Sequence, residues 1–251
     1  MARRGHTPAM GAAEPVPDDD LLQAIDRNLD AFGRLVTLVT GDSEPDSATS
    51  ASGATIPAPA TLFAVGAGGS GIWTRAHADF TFESVLPHAG FTLVVDLPVM
   101  VLTTQPAIAP FVPGVEIRRV VDGAGAADLR VAELQAYAGT DQERAAAQAL
   151  FRDSARLNEP RLAAFVGYVD RVPAAGALAF TDEGVTRIAW VGTVPRHRRR
   201  GLGGLVTQAA ARAGFELGAR CAVLEASPMG ESVYRAMGFR EVTRYRVWLS
   251  R

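Results

Sequence analysis

The stretch Val191-Gly192-Thr193-Val194-Pro195-Arg196-His197-Arg198-Arg199-Arg200-Gly201-Leu202-Gly203-Gly204 constrains this chain more than any other. It reads as an apolar strand, a proline stop, and an arginine and glycine turn that opens a helix. Gly201, Gly203 and Gly204 let the backbone approach a ligand closely. The first amides of a helix have no partner within it, so hydrogen bonding and the helix dipole both favour an anion there. Arginines beside such a nest add charge-assisted, often bidentate, bonds to phosphate oxygens. A pyrophosphate fits this site. The spacing is not a Walker motif, because Gly-Lys-Ser or Gly-Lys-Thr is absent and the chain has no lysine. A solvated basic turn or a nucleic-acid patch would need the arginines alone. The strand, proline, glycine spacing and helix together favour the anion cradle.

The rest of the chain suits one large domain or two small ones: 251 residues, 48% hydrophobic and 21% charged, with a net charge of −2. Whole-chain disorder is excluded. That near-neutral total hides a gradient. Residues 1–110 carry 5 Arg against 12 acids, a net of −7, and residues 111–185 carry 8 against 11, a net of −3. The last 66 residues carry 12 Arg against 4 acids, a net of +8. A basic C-terminal third calls for an anionic partner, which could be nucleic acid, a membrane surface or a phosphorylated cofactor. The absence of lysine removes lysine Schiff chemistry. No apolar run reaches the roughly 20 residues of a membrane span, and Met1 to Pro17 lacks the apolar core of a secretory signal, so no membrane partner is expected. Cys221 is the single cysteine, which excludes an intrachain disulfide or cysteine-cluster zinc site and makes a cytoplasmic location the default.

Residues 1–17 read as a flexible tail. Leu21, Leu22, Ile25, Leu29, Phe32, Leu35 and Val36 recur at helical spacing behind Asp18, Asp19 and Asp20, predicting an amphipathic helix. A Ser, Ala, Pro and Gly-rich loop follows over 41–60, then strands at Thr61–Val65, Ile72–Arg75, Phe91–Leu97 and Val99–Thr103. Pro106, Pro110 and Pro113 mark a linker, dividing an N-terminal α/β lobe, 18–112, from a domain at 113–251. The second unit reads as strand 115–121, helices 125–137 and 142–157, and strands 162–172, 175–181 and 185–194. Helix 203–217, strand 222–225, a short helix at 231–237 and strand 242–249 complete it. This is mixed α+β, with consecutive strands rather than strict alternation.

Gly66-Ala67-Gly68-Gly69-Ser70-Gly71 has the G-x-G-x-x-G spacing of a dinucleotide fingerprint. That fingerprint must open a helix, whereas Ile72-Trp73-Thr74-Arg75 favours a strand and Phe80-Thr81-Phe82 alternates. A glycine-rich hairpin loop is the better reading.

Arg198-x-x-Gly201-x-Gly203, with Pro195 ahead of it, resembles the pyrophosphate loop of the GNAT superfamily of acyl-CoA-dependent N-acyltransferases. Tyr234-Arg235-Ala236-Met237-Gly238-Phe239 is similar to that family's Leu-Tyr-x-x-x-Gly-Phe element, with Val233 in place of the leucine. The resemblance spans roughly 114–251. It implies a central mixed, largely antiparallel sheet flanked by helices, with the N-terminal lobe as a degenerate GNAT-like half that shapes the acceptor pocket. It implies acetyl-CoA as co-substrate, its pantetheine arm along the backbone of Val191, Gly192 and Thr193, and its pyrophosphate on Arg198, Arg199, Arg200, Gly201, Leu202, Gly203 and Gly204. It gives Tyr234 as the proton donor to the departing thiolate and Glu225 as the counterpart of a glutamate base, the competing reading being a charged strand end paired with an arginine. Ser227-Pro228-Met229-Gly230 departs from the family's longer asparagine-bearing loop, and Ser227 falls at the asparagine's distance from Tyr234.

The function implied is direct transfer of acetyl to a primary amine of a small molecule in a ternary complex. The alternatives are a macromolecular acetyltransferase acting on a protein N-terminus, lysine or aminoacyl-tRNA, and a non-catalytic acyl-CoA or nucleic-acid-binding module. Nucleic acid is disfavoured as a partner, and a homodimer is compatible with the reading. Cys221 reads as a buried small hydrophobe, Trp190 as sheet core, and His77-Ala78-Asp79 as too few ligands for a metal.

Overall fold

The computed structural model describes residues 19–40, 61–65, 69–109, 111–137 and 159–250. The predicted tail, the 41–60 loop and the 142–157 helix lie outside them. In chain order the elements are α1 Asp19–Thr40, β1 Thr61–Val65, β2 Gly69–Arg75, α2 Phe80–Glu83, β3 Phe91–Leu102, β4 Val115–Arg119 and α3 Gly123–Ala136. They continue with β5 Leu162–Val169, β6 Val172–Asp182, β7 Val185–Thr193, a 3-10 turn at Pro195–His197, α4 Leu202–Glu216, β8 Cys221–Glu225, α5 Glu231–Ala236 and β9 Arg240–Ser250.

The strands form one sheet in the order β1-β2-β9-β3-β8-β7-β6-β5-β4. Every pairing is antiparallel except β7 with β8, so the sheet is mixed and largely antiparallel, with helices on both faces. All eight residues of β5 are buried, as expected of a strand covered on both sides. Ala163, Phe165 and Val169 pack with Leu202, Val206 and Ala210 of α4, while Leu162, Ala164, Val166 and Tyr168 pack with Leu129 of α3 and Phe32 of α1. The period-2 alternation assigns each residue its face. Tight hairpins set the register: Asp170-Arg171 and Glu183-Gly184 all have positive φ, the mirror-image turn that suits the strands' twist.

Three local expectations fail. The strand expected at 162–172 ends at Val169, because the chain turns at Asp170-Arg171 and Val172 already begins β6. Phe91–Leu97 and Val99–Thr103 are not separate strands but one twelve-residue β3, interrupted by irregularities at Leu93/Val95 and Val99/Met100. Pro98 is tolerated there at the cost of one donor. The alternating Phe80-Thr81-Phe82 is the start of α2, with Phe80 exposed and Glu83 turned inward onto the Thr74 hydroxyl at 2.5 Å. The glycine-rich segment does join two strands: β1 and β2 pair antiparallel from Val65↔Gly69, and a strand rather than a helix follows it, as the hairpin reading requires.

β3, from the N-terminal segment, lies between β8 and the terminal strand β9. Helix α1 crosses the same sheet, placing Ala24 and Ile25 in a core cluster with Val185, Val223 and Tyr245.

Close packing of α4 on β7 leaves no room at Gly214, where a Cβ would fall on the Thr186 side chain. Gly214→Val is expected to cost about 1–3 kcal/mol by overpacking. Gly33→Ala in α1, where nothing lies within 4 Å, is expected to gain about 0.5–1 kcal/mol from helix propensity. Urea midpoints at constant m-value measure both.

Candidate active site

The parallel strands β7 and β8 pair only from Val185↔Cys221 to Arg187↔Val223. Beyond Arg187 the ladder ends and the strands part, leaving the β7 edge from Ile188 to Thr193 without a β8 partner. Its other edge pairs with β6 through a bulge: Gly176 opposes Gly192 and Leu178 opposes Ala189, so Trp190 and Val191 together face one residue. Trp190 takes φ of 54°, a rare conformation for a bulky side chain and one that persists only where its surroundings enforce it. Tyr137, just after α3, donates its hydroxyl to the Val191 carbonyl at 3.1 Å and meets the Trp190 ring edge-on at 5.9 Å. Trp190 packs against the core cluster of Leu129 and Leu178, half-buried at the bulge.

Past Thr193 the Pro195–His197 turn leads into the arginine loop. Arg198 folds back, donating to the carbonyls of Thr193 and Ala136, each at 3.1 Å, and so ties the end of β7 to the end of α3. Arg196 reaches Gln135 of α3 at 3.2 Å. Arg199, with φ of 59°, and Arg200 lie on the exposed rim. His197 sits half-buried between Arg196 and Arg200; partial burial, then those two charges, hold its imidazole below the ordinary value and so disfavour a proton there. Gly201 enters α4 with φ of 79°, and the first backbone bond of the helix runs from the Leu205 amide to the Gly201 carbonyl. The amides of Leu202, Gly203 and Gly204 thus face outward at the positive end of the dipole. A Cβ on Gly203 would lie 3.4 Å from the Thr193 hydroxyl, and one on Gly204 3.5 Å from Val233. An open cavity of about 690 Å³, bordered by Ala107, Gly201, Gly204, Leu205, Val233 and Met237, adjoins the loop. Amide and guanidinium donors beside it suit a pyrophosphate-bearing ligand, and the volume suits a cofactor-sized one.

Tyr234 on α5 packs in the core with Leu202 and Val206 of α4 and against Phe239 at 5.9 Å, and is 8% exposed. Burial raises its phenol above the ordinary value, partly offset by Thr207 beside it, so it holds its proton at neutral pH. Gly230 starts the helix so close that a Cβ there would lie 2.8 Å from the Tyr234 ring. Ser227 is exposed and closes the turn before α5, its hydroxyl accepting from the Gly230 amide at 3.2 Å.

Glu225 ends β8, and its carboxylate is paired with Arg187. Arg187 is 1% exposed and lies where the two strands begin to part. It also donates to Asn28 Oδ1 and the Ile25 carbonyl of α1, each at 3.2 Å. Burial works against its charge, but Glu225 and Tyr245 beside it outweigh that and keep the guanidinium charged. From Tyr245 the network runs to Asp26 at 3.0 Å, and Asp26 in turn takes Arg75 at 2.9 Å and His77 at 3.1 Å. His77 thus bonds Asp26 and Thr243, and Asp79 pairs with Arg75, within the fold, and no cluster fit to hold a metal occurs among the described residues. Cys221 is buried, with its thiol raised by burial.

Three groups near the opening escape sequence reasoning. Arg187 and Tyr137 are single polar residues in otherwise periodic segments. The third is Glu133 of α3, fully buried beneath Gly176 and Gly192, with no hydrogen-bond partner for either oxygen among the described residues. The only signal for it is two glycines in two predicted strands, which pairing register alone brings together.

The sequence pattern of the acetyltransferase (GNAT) family matches residues 127–239, which contain the bulge, the arginine loop, Glu225 and Tyr234. Among solved structures, a GCN5-related N-acetyltransferase from Kribbella flavida is similar at 26% identity and a TM-score of 0.58, covering 71% of this chain and 66% of that one. Another from Sphaerobacter thermophilus has 19% identity and a TM-score of 0.57, covering 71% and 58%. This chain therefore spans just under two thirds of the first and less of the second. No curated protein matches it in sequence. No helix among the described residues is long and apolar enough to cross a membrane.

Proposed function

We propose, from the premise that residues 127–239 form a domain of the acetyltransferase (GNAT) family, that this protein transfers an acetyl group from acetyl-CoA directly to a primary amine of a small molecule in a ternary complex. The observation that carries this is the opening between β7 and β8, which leads to the outward amides of Leu202, Gly203 and Gly204. Acetyl-CoA, when bound, supplies the activated thioester. The three amides, with Arg199, Arg200 and Gly201, hold the pyrophosphate, while Arg198 holds the loop itself in place. The free edge over Val191, Gly192 and Thr193 orients the pantetheine arm, and its amides polarise a carbonyl placed against them. Ser227 lies near the same arm, contributing its turn.

Tyr234 keeps its proton on Oη and gives it to sulfur as the carbon–sulfur bond breaks. An attacking ammonium must first lose a proton. Glu225, with its side chain 20% exposed at the end of β8, accepts it directly or through water while Arg187 fixes the carboxylate. The segment 18–112 shapes the acceptor side, as β3 borders β8 and α1 holds Arg187. The net charge of −7 over residues 1–110 favours a cationic acceptor.

Thiol release from acetyl-CoA, measured with a panel of small amines, tests the reading. Tyr234→Phe is expected to lower kcat by about 10²–10⁴ with CoA affinity retained. The enzymatic reading fails if CoA binds by calorimetry, no amine supports turnover and Tyr234→Phe changes nothing. Turnover only with peptide or aminoacyl-tRNA acceptors would move the acceptor to the macromolecular class. RNA binding that weakens with salt and is not displaced by CoA would favour a nucleic-acid module.

A further inference from the structure

Glu133 is a buried acid that the chemistry above does not use. It is 0% exposed, and neither carboxyl oxygen has a hydrogen-bond partner among the described residues. They lie over two glycines that face each other across β6 and β7. A Cβ on Gly176 would fall on Oε1, and one on Gly192 would come within 2.9 Å of Oε2 and 2.8 Å of Ala136. The sheet is hollowed at two positions in register to house one carboxyl group. That hollow adjoins Val191 and Thr193, at the far end of the bulge that holds Trp190 at its positive φ.

Buried polar groups are nearly always bonded, and a carboxylate without a donor or cation is among the costliest groups to enclose. The titratable and charged groups around it do not supply one. Tyr137, following α3, gives its hydroxyl to Val191; Arg198 and Arg196 of the loop go to Ala136 and Gln135; Asp128, one α3 turn earlier, accepts from Tyr168 of β5 at 2.8 Å. β6 and β7 bring the backbone of Gly176 and Gly192, which carry no side chain, against it. Burial alone accordingly pushes the Glu133 carboxyl well above the usual range, so the neutral acid is the form that fits.

We propose that Glu133 is a positioning residue for the CoA-binding edge of β7: its neutral carboxyl fills the Gly176–Gly192 hollow and supports the bulge, and loss of its proton to solvent loosens that edge and weakens CoA binding. This rests on the CoA reading given above. The test is CoA affinity by calorimetry on the full chain, wild type and Glu133→Gln, at low and high pH. Glutamine is a neutral isostere, and His197, the arginines and CoA's own phosphates titrate alike in both proteins, so the ratio of affinities isolates position 133. As the pH rises from the acid side, where the carboxyl is neutral, to the alkaline side, where it has ionised, the wild type is expected to lose about tenfold or more in affinity relative to Glu133→Gln, one pKa unit being a factor of ten. A ratio that does not change with pH overturns the proposal. Failure of the wild type to bind CoA at any pH overturns the cofactor reading instead, so the two failures are distinct. If Glu133→Gln does not fold, isotope-edited infrared spectra of the wild type decide: a protonated carboxyl band at low pH that CoA preserves toward higher pH supports the proposal, and its absence overturns it.

Discussion

Arg187→Met is expected to destabilise the protein by about 3–5 kcal/mol, because removing one member of a buried ion pair strands the other. The side chain is 1% exposed and is the meeting point of four elements: Glu225 of β8, the Ile25 carbonyl and Asn28 of α1, and Tyr245 of β9. Methionine fills much of the volume but donates to none of them. Glu225 retains some water, since its side chain is 20% exposed, so the loss belongs toward the lower end of the range. For a chain of this length that corresponds to a fall in Tm of roughly 6–12 °C. The double variant Arg187→Met/Glu225→Leu is expected to recover much of it, since buried pairs replaced whole by apolar groups are often near neutral. Thermal unfolding of both variants checks this; equal losses in single and double variants would mean that the bonds to α1, not the ion pair, carry the stability.

Gly203→Asp is expected to abolish tight CoA binding while leaving the fold intact, a loss of about 100-fold or more in Kd, or ~2.7 kcal/mol. Gly203 is the second residue of α4, and a Cβ there meets only the Thr193 hydroxyl at 3.4 Å. An acid in the first turn suits the helix dipole, which should hold or raise Tm, adding about 0.3–1 kcal/mol. The same charge faces the outward amides and repels a pyrophosphate. Gly203→Ala separates sterics from charge and should bind CoA within about threefold, as a 0.6 kcal/mol perturbation would give. Calorimetry with CoA alone reads both variants; normal affinity in the aspartate variant would remove the pyrophosphate from this loop.

The loop was legible because its chemistry is local. Pro195 stops a strand and an arginine and glycine turn opens a helix, all within ten residues; the structure has this order, with the helix starting at Leu202, one residue before the expected Gly203, and Gly201 at positive φ as its entry. The three consecutive strands β5, β6 and β7 were readable from their apolar runs, but the expected strand 162–172 ran through the turn at Asp170-Arg171, which carries no Gly or Pro to mark it. β3 was misread as two strands because Pro98 is a strong local signal, overridden here by pairing with β8 and β9 on either side. Phe80 to Phe82 was misread because three residues cannot distinguish alternation from the first turn of a helix.

Roles that depend on distant partners were not readable. Arg198 matched a phosphate-loop pattern, yet its guanidinium holds the carbonyls of Thr193 and Ala136. Glu225 left two readings open, and the ion pair with Arg187 is present; Arg187 lies 38 residues away, and Asn28, which bonds it, 159 from it. Sequence alone therefore determined most of the elements, the strand–proline–glycine–helix order of the loop and the resemblance carried by the motifs, because backbone conformation and hydrophobic period are set by near neighbours. Only the tertiary structure decided which charges are paired, which carboxyl is left without a partner over Gly176 and Gly192, and that β3 lies between β8 and β9. Those facts arise from contacts across the sheet, where register and burial, not spacing along the chain, set the distance between groups.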